Sequence, residues 1–300
     1  MDEGNRRPGV SQMVSVFLYA TVVLIWGSTW LAVKYQIGPV SPEVSVAYRM
    51  GSAALMLFFL GLIKQLPFKY GLRVHFIMML QGALLFSCNF FLFYLAAESL
   101  ITGLIAVIFS TASAMTVIFN CLFSRRLPSI YLTLGATLGV LGVGLIFSGE
   151  IFDSRSAIGS GLIYSIGGTL CFSLGTIVSA RIRFPGQSTL VNIAWAMSYG
   201  TVLLCLLALV RGNVFNFDLS PTYVYSLAYL SVFGSVIAFT AYFALLNHIR
   251  PEQAAYATVL FPVVALTLST LFENYQWTAT AVCGVLITLL GNFLINWRST

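Results

Sequence analysis

Residues 14–35 read VSVFLYATVVLIWGSTWLAVKY. At ~1.5 Å per residue, about 20 apolar residues cover a hydrocarbon layer of ~30 Å, so the run is long enough to cross a bilayer as one helix. Its later part, Trp26-Gly27-Ser28-Thr29-Trp30 with Lys34 beyond, holds groups that spanning alone does not require. On a helix, Trp26, Trp30 and Val33–Lys34 share one face at i, i+4 and i+7/i+8. Trp26 lies too deep for an interfacial aromatic belt. That face either packs between helices or walls a cavity.

Ten such runs fit the chain, at about 14–35, 42–63, 76–97, 102–123, 130–149, 157–180, 189–210, 223–246, 253–272 and 278–297. Of 300 residues, 59% are hydrophobic and 8% charged, against about a quarter charged in soluble domains. A globule of this length cannot bury so much apolar surface. The expected solvent is therefore the lipid bilayer. The net charge of +6 implies no nucleic-acid partner, because the basic residues stand singly or in pairs between the runs. Cys88, Cys121, Cys171, Cys205 and Cys283 lie inside runs without CxxC spacing and read as small buried hydrophobes. His75 and His248 stand far apart, so no metal site or cofactor is expected. The first run is too long for a signal peptide and lacks a small-residue cleavage site, which makes it a retained span.

Lys and Arg set the orientation. With the N-terminus in the cytoplasm, Arg6, Arg7, Lys64, Lys69, Arg73, Arg125, Arg126, Arg181, Arg183, Arg250 and Arg298 fall inside, and only Arg155 and Arg211 lie in outer loops. That bias predicts both termini in the cytoplasm. Glu43, Glu98, Glu150, Asp153, Asp218 and Glu273 lean outward. Short connections make consecutive helices antiparallel neighbours.

A shift of 149 positions lays Phe93–Ile146 over Tyr242–Ile295 without a gap, matching Gly135 to Gly284 and Gly142 to Gly291. Arg125-Arg126 become Asn274-Tyr275, and the Glu98 turn becomes the basic turn at His248 and Arg250. A five-helix repeat inverts its second copy, so matching loops face opposite sides and exchange charge. The expected fold is an all-α polytopic membrane protein of ten transmembrane helices in a 5+5 inverted-topology repeat. Its parts are a tail at 1–13, a first unit at 14–150 and a second at 151–300.

Trp26-Gly27-Ser28-Thr29-Trp30 with Lys34, Arg49 on the second run, and the closing Pro262…Phe272-Glu273…Trp277…Gly284…Gly291 resemble the drug/metabolite transporter superfamily, EamA-type. The resemblance spans essentially the whole chain. It implies a ten-helix inverted repeat in the plasma (bacterial inner) membrane that moves amino acids and related metabolites or drugs, often outward. Relatives that carry nucleotide-sugars widen the substrate range it implies. The chain departs from the pattern at Ser124, where an acidic residue often matches Glu273, and at Ser113, where the second half has Pro262.

Arg49 is the sharpest candidate for chemistry. It lies about seven residues, ~10 Å, inside helix 2, where a charge costs a few kcal/mol and turns to a cavity or a partner. It either pairs with Glu98 or Glu273 at the rim or offers a guanidinium fork to a substrate carboxylate or phosphate. Lys34 either snorkels to the headgroups or lines the cavity. Asn89, Tyr94, Asn120, Tyr164, Asn192, Trp195, Tyr199 and Tyr242 are polar groups deep in other spans. Singly each fits an interhelical hydrogen bond. Taken with Trp26, Thr29 and Trp30 they describe an aromatic, amide-lined cavity for a small amphipathic solute. Pro262 and its counterpart Ser113 could hinge their helices at mid-membrane. The glycines 135, 139, 142 and 144 of helix 5 read as scaffold or as a dimer seam.

No GxxxxGK, HExxH or GxSxG motif is present, and no paired carboxylates, so the chain does not read as an enzyme. Without an ATP-binding loop, uphill movement would draw on a gradient, and Glu98 and Glu273 are the candidates if protons are coupled. The resulting expectation is a secondary active or facilitative transporter that exports amino acids or similar small-molecule substrates by alternating access. The alternatives are a nucleotide-sugar or drug transporter of the same superfamily, or a non-transporting scaffold or intramembrane enzyme. Oligomeric state is left open.

Overall fold

A computed structural model describes residues 8–125, 127, 129–148, 158–180, 188–245 and 257–297. Among them the chain forms ten helices: α1 Pro8–Lys34, α2 Pro42–Ile63, α3 Leu72–Ala97, α4 Thr102–Phe123, α5 Ile130–Ile146, α6 Ile158–Ala180, α7 Thr189–Val210, α8 221–245, α9 Ala257–Phe272 and α10 Ala279–Trp297. Seven contain stretches long and apolar enough to cross a membrane; α5 and the apolar parts of α9 and α10 are shorter. The expected loop charges Arg6, Arg7, Arg126, Arg155, Arg181, Arg183, Arg250, Arg298, Glu150 and Asp153 lie outside the described residues. So do His248 and the boundary at 150/151.

The helix ends follow local chemistry. Pro42 follows Ser41 and Pro221 follows Ser220, which places proline where its missing N–H is no loss. The Ser129 Oγ accepts from the Leu132 N–H at 3.2 Å and caps α5. Four helices stop at a left-handed residue: Gln65 after α2, Arg125 after α4, Gly212 after α7 and Asn274 after α9. That conformation satisfies orphan carbonyls of the last turn. After α2 and α7 the bonds are Leu66 N–H to Gly61 O and Asn213 N–H to Ala208 O, both 2.9 Å.

Two helices are not α-helical throughout. α3 widens to a π-helical segment at Gly82–Cys88, and α8 does so at Leu230–Ile237. At both widenings a glycine meets a neighbour closely. A Cβ on Gly82 would fall on the Ala196 carbonyl of α7, and one on Gly234 would lie 2.8 Å from Thr29 Cγ2 of α1.

Side-chain hydrogen bonds sort the helix ends into two faces. At the far face, where α1 ends, Lys34 Nζ donates to the Ala97 carbonyl that closes α3. There Gln36 Nε2 donates to Tyr223 O (2.9 Å) and Ser226 Oγ (2.6 Å) at the start of α8. Glu43, opening α2, pairs with Arg211 beyond α7 at 3.2 Å and accepts from Asn213. Glu273, after α9, accepts from the Thr102 N–H (3.1 Å) and hydroxyl (2.6 Å) that open α4. At the near face Trp195 Nε1 donates to Phe68 O, Tyr199 bonds His75 at 2.9 Å, and Gln81 Nε2 donates to Ser179 Oγ. These bonds set α1, α3, α7 and α9 running one way and α2, α4, α6 and α8 the other.

α5 and α10 cross on glycine. Gly142 lies against the Gly284 carbonyl and Thr288, and a Cβ on Gly291 would sit 2.5 Å from the Gly135 carbonyl. The glycine face of α5 is thus covered by α10 of the same chain, which answers the seam question at Gly135 and Gly142 in favour of scaffold.

Candidate functional site

At mid-depth α1 and α2 converge on Gly234 of α8. The Trp26 indole donates to the Gly234 carbonyl at 3.2 Å. Its ring meets Phe239, Tyr242 and Phe261 at centroid distances of 5.1, 5.2 and 5.6 Å, within the range of favourable edge and tilted aromatic pairs. The hydroxyl of Thr29, one turn on, donates to Trp26 O, and its methyl rests on Gly234. Trp30 turns the next step of the same face onto Phe93 (5.2 Å) and Phe109 (5.4 Å). The Trp face of α1 therefore packs between helices of both halves of the chain.

Arg49 reaches the same place from α2. Its side chain is 2% exposed. Nε donates to Ser235 Oγ at 3.3 Å, and the guanidinium carbon stands 4.5 Å over the Phe90 ring of α3. Nη2 rests against the α8 backbone, 3.3 Å from where a Gly234 Cβ would be. Ser52 and Ser231 bridge α2 to α8 beneath it at 2.8 Å. The pairing with Glu98 or Glu273 weighed from sequence is absent: Glu273 is taken up by Thr102 and by Ser269 on its own helix, and the ion pair among the described residues is Glu43–Arg211. Tyr94, a turn beyond Phe90, is fully buried near the guanidinium.

The other candidates fall elsewhere or beside this centre. Asn89, 2% exposed, sits at the junction of the π-helical and α-helical parts of α3. Tyr164 of α6 packs half-buried against the main core. Asn192 is buried in the first turn of α7. Tyr199 stacks on Trp195 and bonds His75 near the opposite face from Lys34. Lys34 caps the end of α3, where a cation meets unpaired carbonyls. Pro262 lies inside α9, which continues through it. Ser113 follows a tightened turn at Thr111, where α4 is interrupted.

Beside the Trp face a groove of about 430 Å³ opens between α1 and α8–α9, walled mainly by Leu31, Tyr35, Tyr225 and Leu268. Ser28 and Tyr229 bond across it at 2.7 Å. Sequence reasoning named Tyr242 of α8, which meets Trp26, but missed Gly234 and Ser235. Their trace in the sequence is Ser235 itself, one helical turn after Ser231 in an otherwise apolar stretch. It also missed Phe90, whose role follows only from the approach of α2 to α3.

Comparison with known proteins gives one family and several relatives. The model of the EamA-like transporter family matches twice, over residues 13–148 and 159–297. The uncharacterized transporter YoaV of Bacillus subtilis is 24% identical over 292 residues, covering 94% of this chain and 97% of its own. The uncharacterized inner membrane transporter YedA of Escherichia coli is 25% identical over 284 residues, 90% of this chain and 89% of its own. A solved structure titled only "Crystal structure of protein" shares the fold with a TM-score of 0.65 over 93% of this chain and 95% of that one, at 14% identity.

Proposed function

The chain belongs to the EamA-like transporter family, and from that membership we propose that it is a secondary transporter of small amphipathic metabolites, amino acids among them, exporting them from the cytoplasm by alternating access. It does so with two inverted five-helix units that rock about the α1–α8 crossing. Membership makes a multi-pass membrane carrier the parent class, and relatives are named as transporters.

The observation that carries the mechanism is where the halves meet. Trp26 and Thr29 of the first half and Gly234 and Ser235 of the second form one hydrogen-bonded centre with Arg49. In an inverted repeat the solute site lies near mid-membrane between the units. Three features support the repeat. The family model matches each half. The π-helical segments begin at Gly82 and Leu230 and end at Cys88 and Ile237, close to the 149-residue shift. The left-handed stops Arg125 and Asn274 stand 149 apart.

Rings and serine hydroxyls dominate the centre, with Arg49 as its charge. Such a lining favours a solute with an apolar body over a polyanion, for which several cations would be needed. Reconstituted vesicles test the reading: wild-type protein should move at least one labelled apolar amino acid or related metabolite above empty-vesicle leakage. A scaffold would move none and would show no thermal shift with any of them.

A further inference from the structure

Arg49 is a buried cation with an incomplete set of partners. Nε is spent on Ser235, and Nη2 lies against the α8 backbone. Nη1 is buried and has no hydrogen-bond partner. One turn along α3 from Phe90, the Tyr94 hydroxyl is also buried without a partner. It stands beside the guanidinium, within reach of a hydrogen bond that the geometry leaves incomplete. Ser235 and the Phe90 face are neutral, and a cation–π contact offsets only part of the desolvation of a full charge. Neither group has an anion beside it among the described residues: Glu43 and Glu273 are engaged at the far face, Asp218 accepts from Ser220, and Glu98 is exposed.

We propose that Arg49 Nη1 and the Tyr94 hydroxyl together hold the single carboxylate of a small, otherwise apolar solute, one oxygen to each donor. The charge count selects this class. One guanidinium with one free edge neutralises a monoanion; a phosphate dianion would leave a surplus charge against Phe90. A neutral amide would leave the guanidinium uncompensated. Tyr94 adds specificity, because with Nε and Nη2 turned to α8 the free Nη1 serves one carboxylate oxygen and the Tyr94 hydroxyl serves the other. The inference deepens the transporter reading and rests on it for the solute's route, but not for its binding.

The test measures binding to purified full-length protein by thermal shift and by flux in vesicles. The probes are 3-phenylpropionate and other small monocarboxylates with apolar bodies, each beside its neutral primary amide. Wild-type protein should prefer a carboxylate to its amide by tenfold or more. Tyr94→Phe, which removes one hydroxyl from a site of unchanged volume, should weaken carboxylate binding about tenfold, the size of one hydrogen bond to a charged group. Arg49→Gln should erase the preference between carboxylate and amide. If it fails to fold, Tyr94→Phe decides alone. Equal binding of carboxylate and amide by wild type, no binding of any carboxylate in the set, or wild-type affinity in Tyr94→Phe would each overturn the assignment. Carboxylate binding that depends on Tyr94 without flux of any solute would uphold the site and remove the transporter reading. Flux indifferent to the carboxylate would do the reverse.

Discussion

Trp26 makes three ring contacts and one hydrogen bond to α8, and these can be separated. Trp26→Phe keeps a ring and loses the bond to Gly234 O, for an expected loss of about 1 kcal/mol. Trp26→Ala removes the ring as well and should cost about 3 kcal/mol. Denaturation in detergent should rank the variants in that order, and equal loss in both would mean the rings contribute nothing. Glu273 differs in kind. Its carboxylate receives the Thr102 N–H and hydroxyl at the N-terminus of α4, where negative charge is favoured. Glu273→Gln keeps the shape, loses the charge, and should lower stability by about 1 kcal/mol, while Glu98→Gln, at an exposed position, should leave the melting temperature unchanged. Arg49 was legible as a functional candidate because a cation inside an apolar run is costly wherever it points. Its partners were not. Ser235 lies 186 positions away, and only the fold brings α8 to α2.

At the scale of elements, the apolar runs predicted the helices closely. α2, α4 and α7 have the bounds read from the sequence, and α3 begins a turn earlier than its apolar core, at Leu72. What the runs could not convey are the π-helical segments of α3 and α8. A π-turn needs one extra residue per turn and has no hydrophobic period of its own, so its only trace is a small residue where a neighbour comes near. The α5–α10 crossing gives a sharper test. Gly142 is pressed on α10, whereas nothing lies within 4 Å of a Cβ built on Gly144, two residues on. Gly142→Leu should part the two helices and cost more than 3 kcal/mol through overpacking that no rotamer relieves. Gly144→Leu should be tolerated within about 1 kcal/mol. Similar behaviour of the two variants would contradict the crossing.

Across the whole molecule, hydrogen bonds join the two halves of the chain at both faces. At the far face they link Gln36 to Tyr223 and Thr102 to Glu273, and at the near face Trp195 to Phe68 and Tyr199 to His75. Arg49 and Trp26 lie between these belts. A carrier that alternates must break one belt while keeping the other, since a cavity open to both sides would leak its gradient. The charge bias of the loops pointed to orientation, but much of it falls on residues outside the described ones, so the belts rather than the charges bear the mechanical argument. Thr102 Oγ1 and Ser269 Oγ stand 3.5 Å apart across α4 and α9, so cysteines at these positions need only a small turn of their side chains to bring the sulfurs to the ~2 Å of a disulfide. The most direct measurement is solute flux through vesicles carrying Thr102→Cys/Ser269→Cys, oxidised and then reduced. The account predicts that the oxidised protein stops and the reduced protein resumes. Undiminished flux through fully cross-linked protein would contradict it.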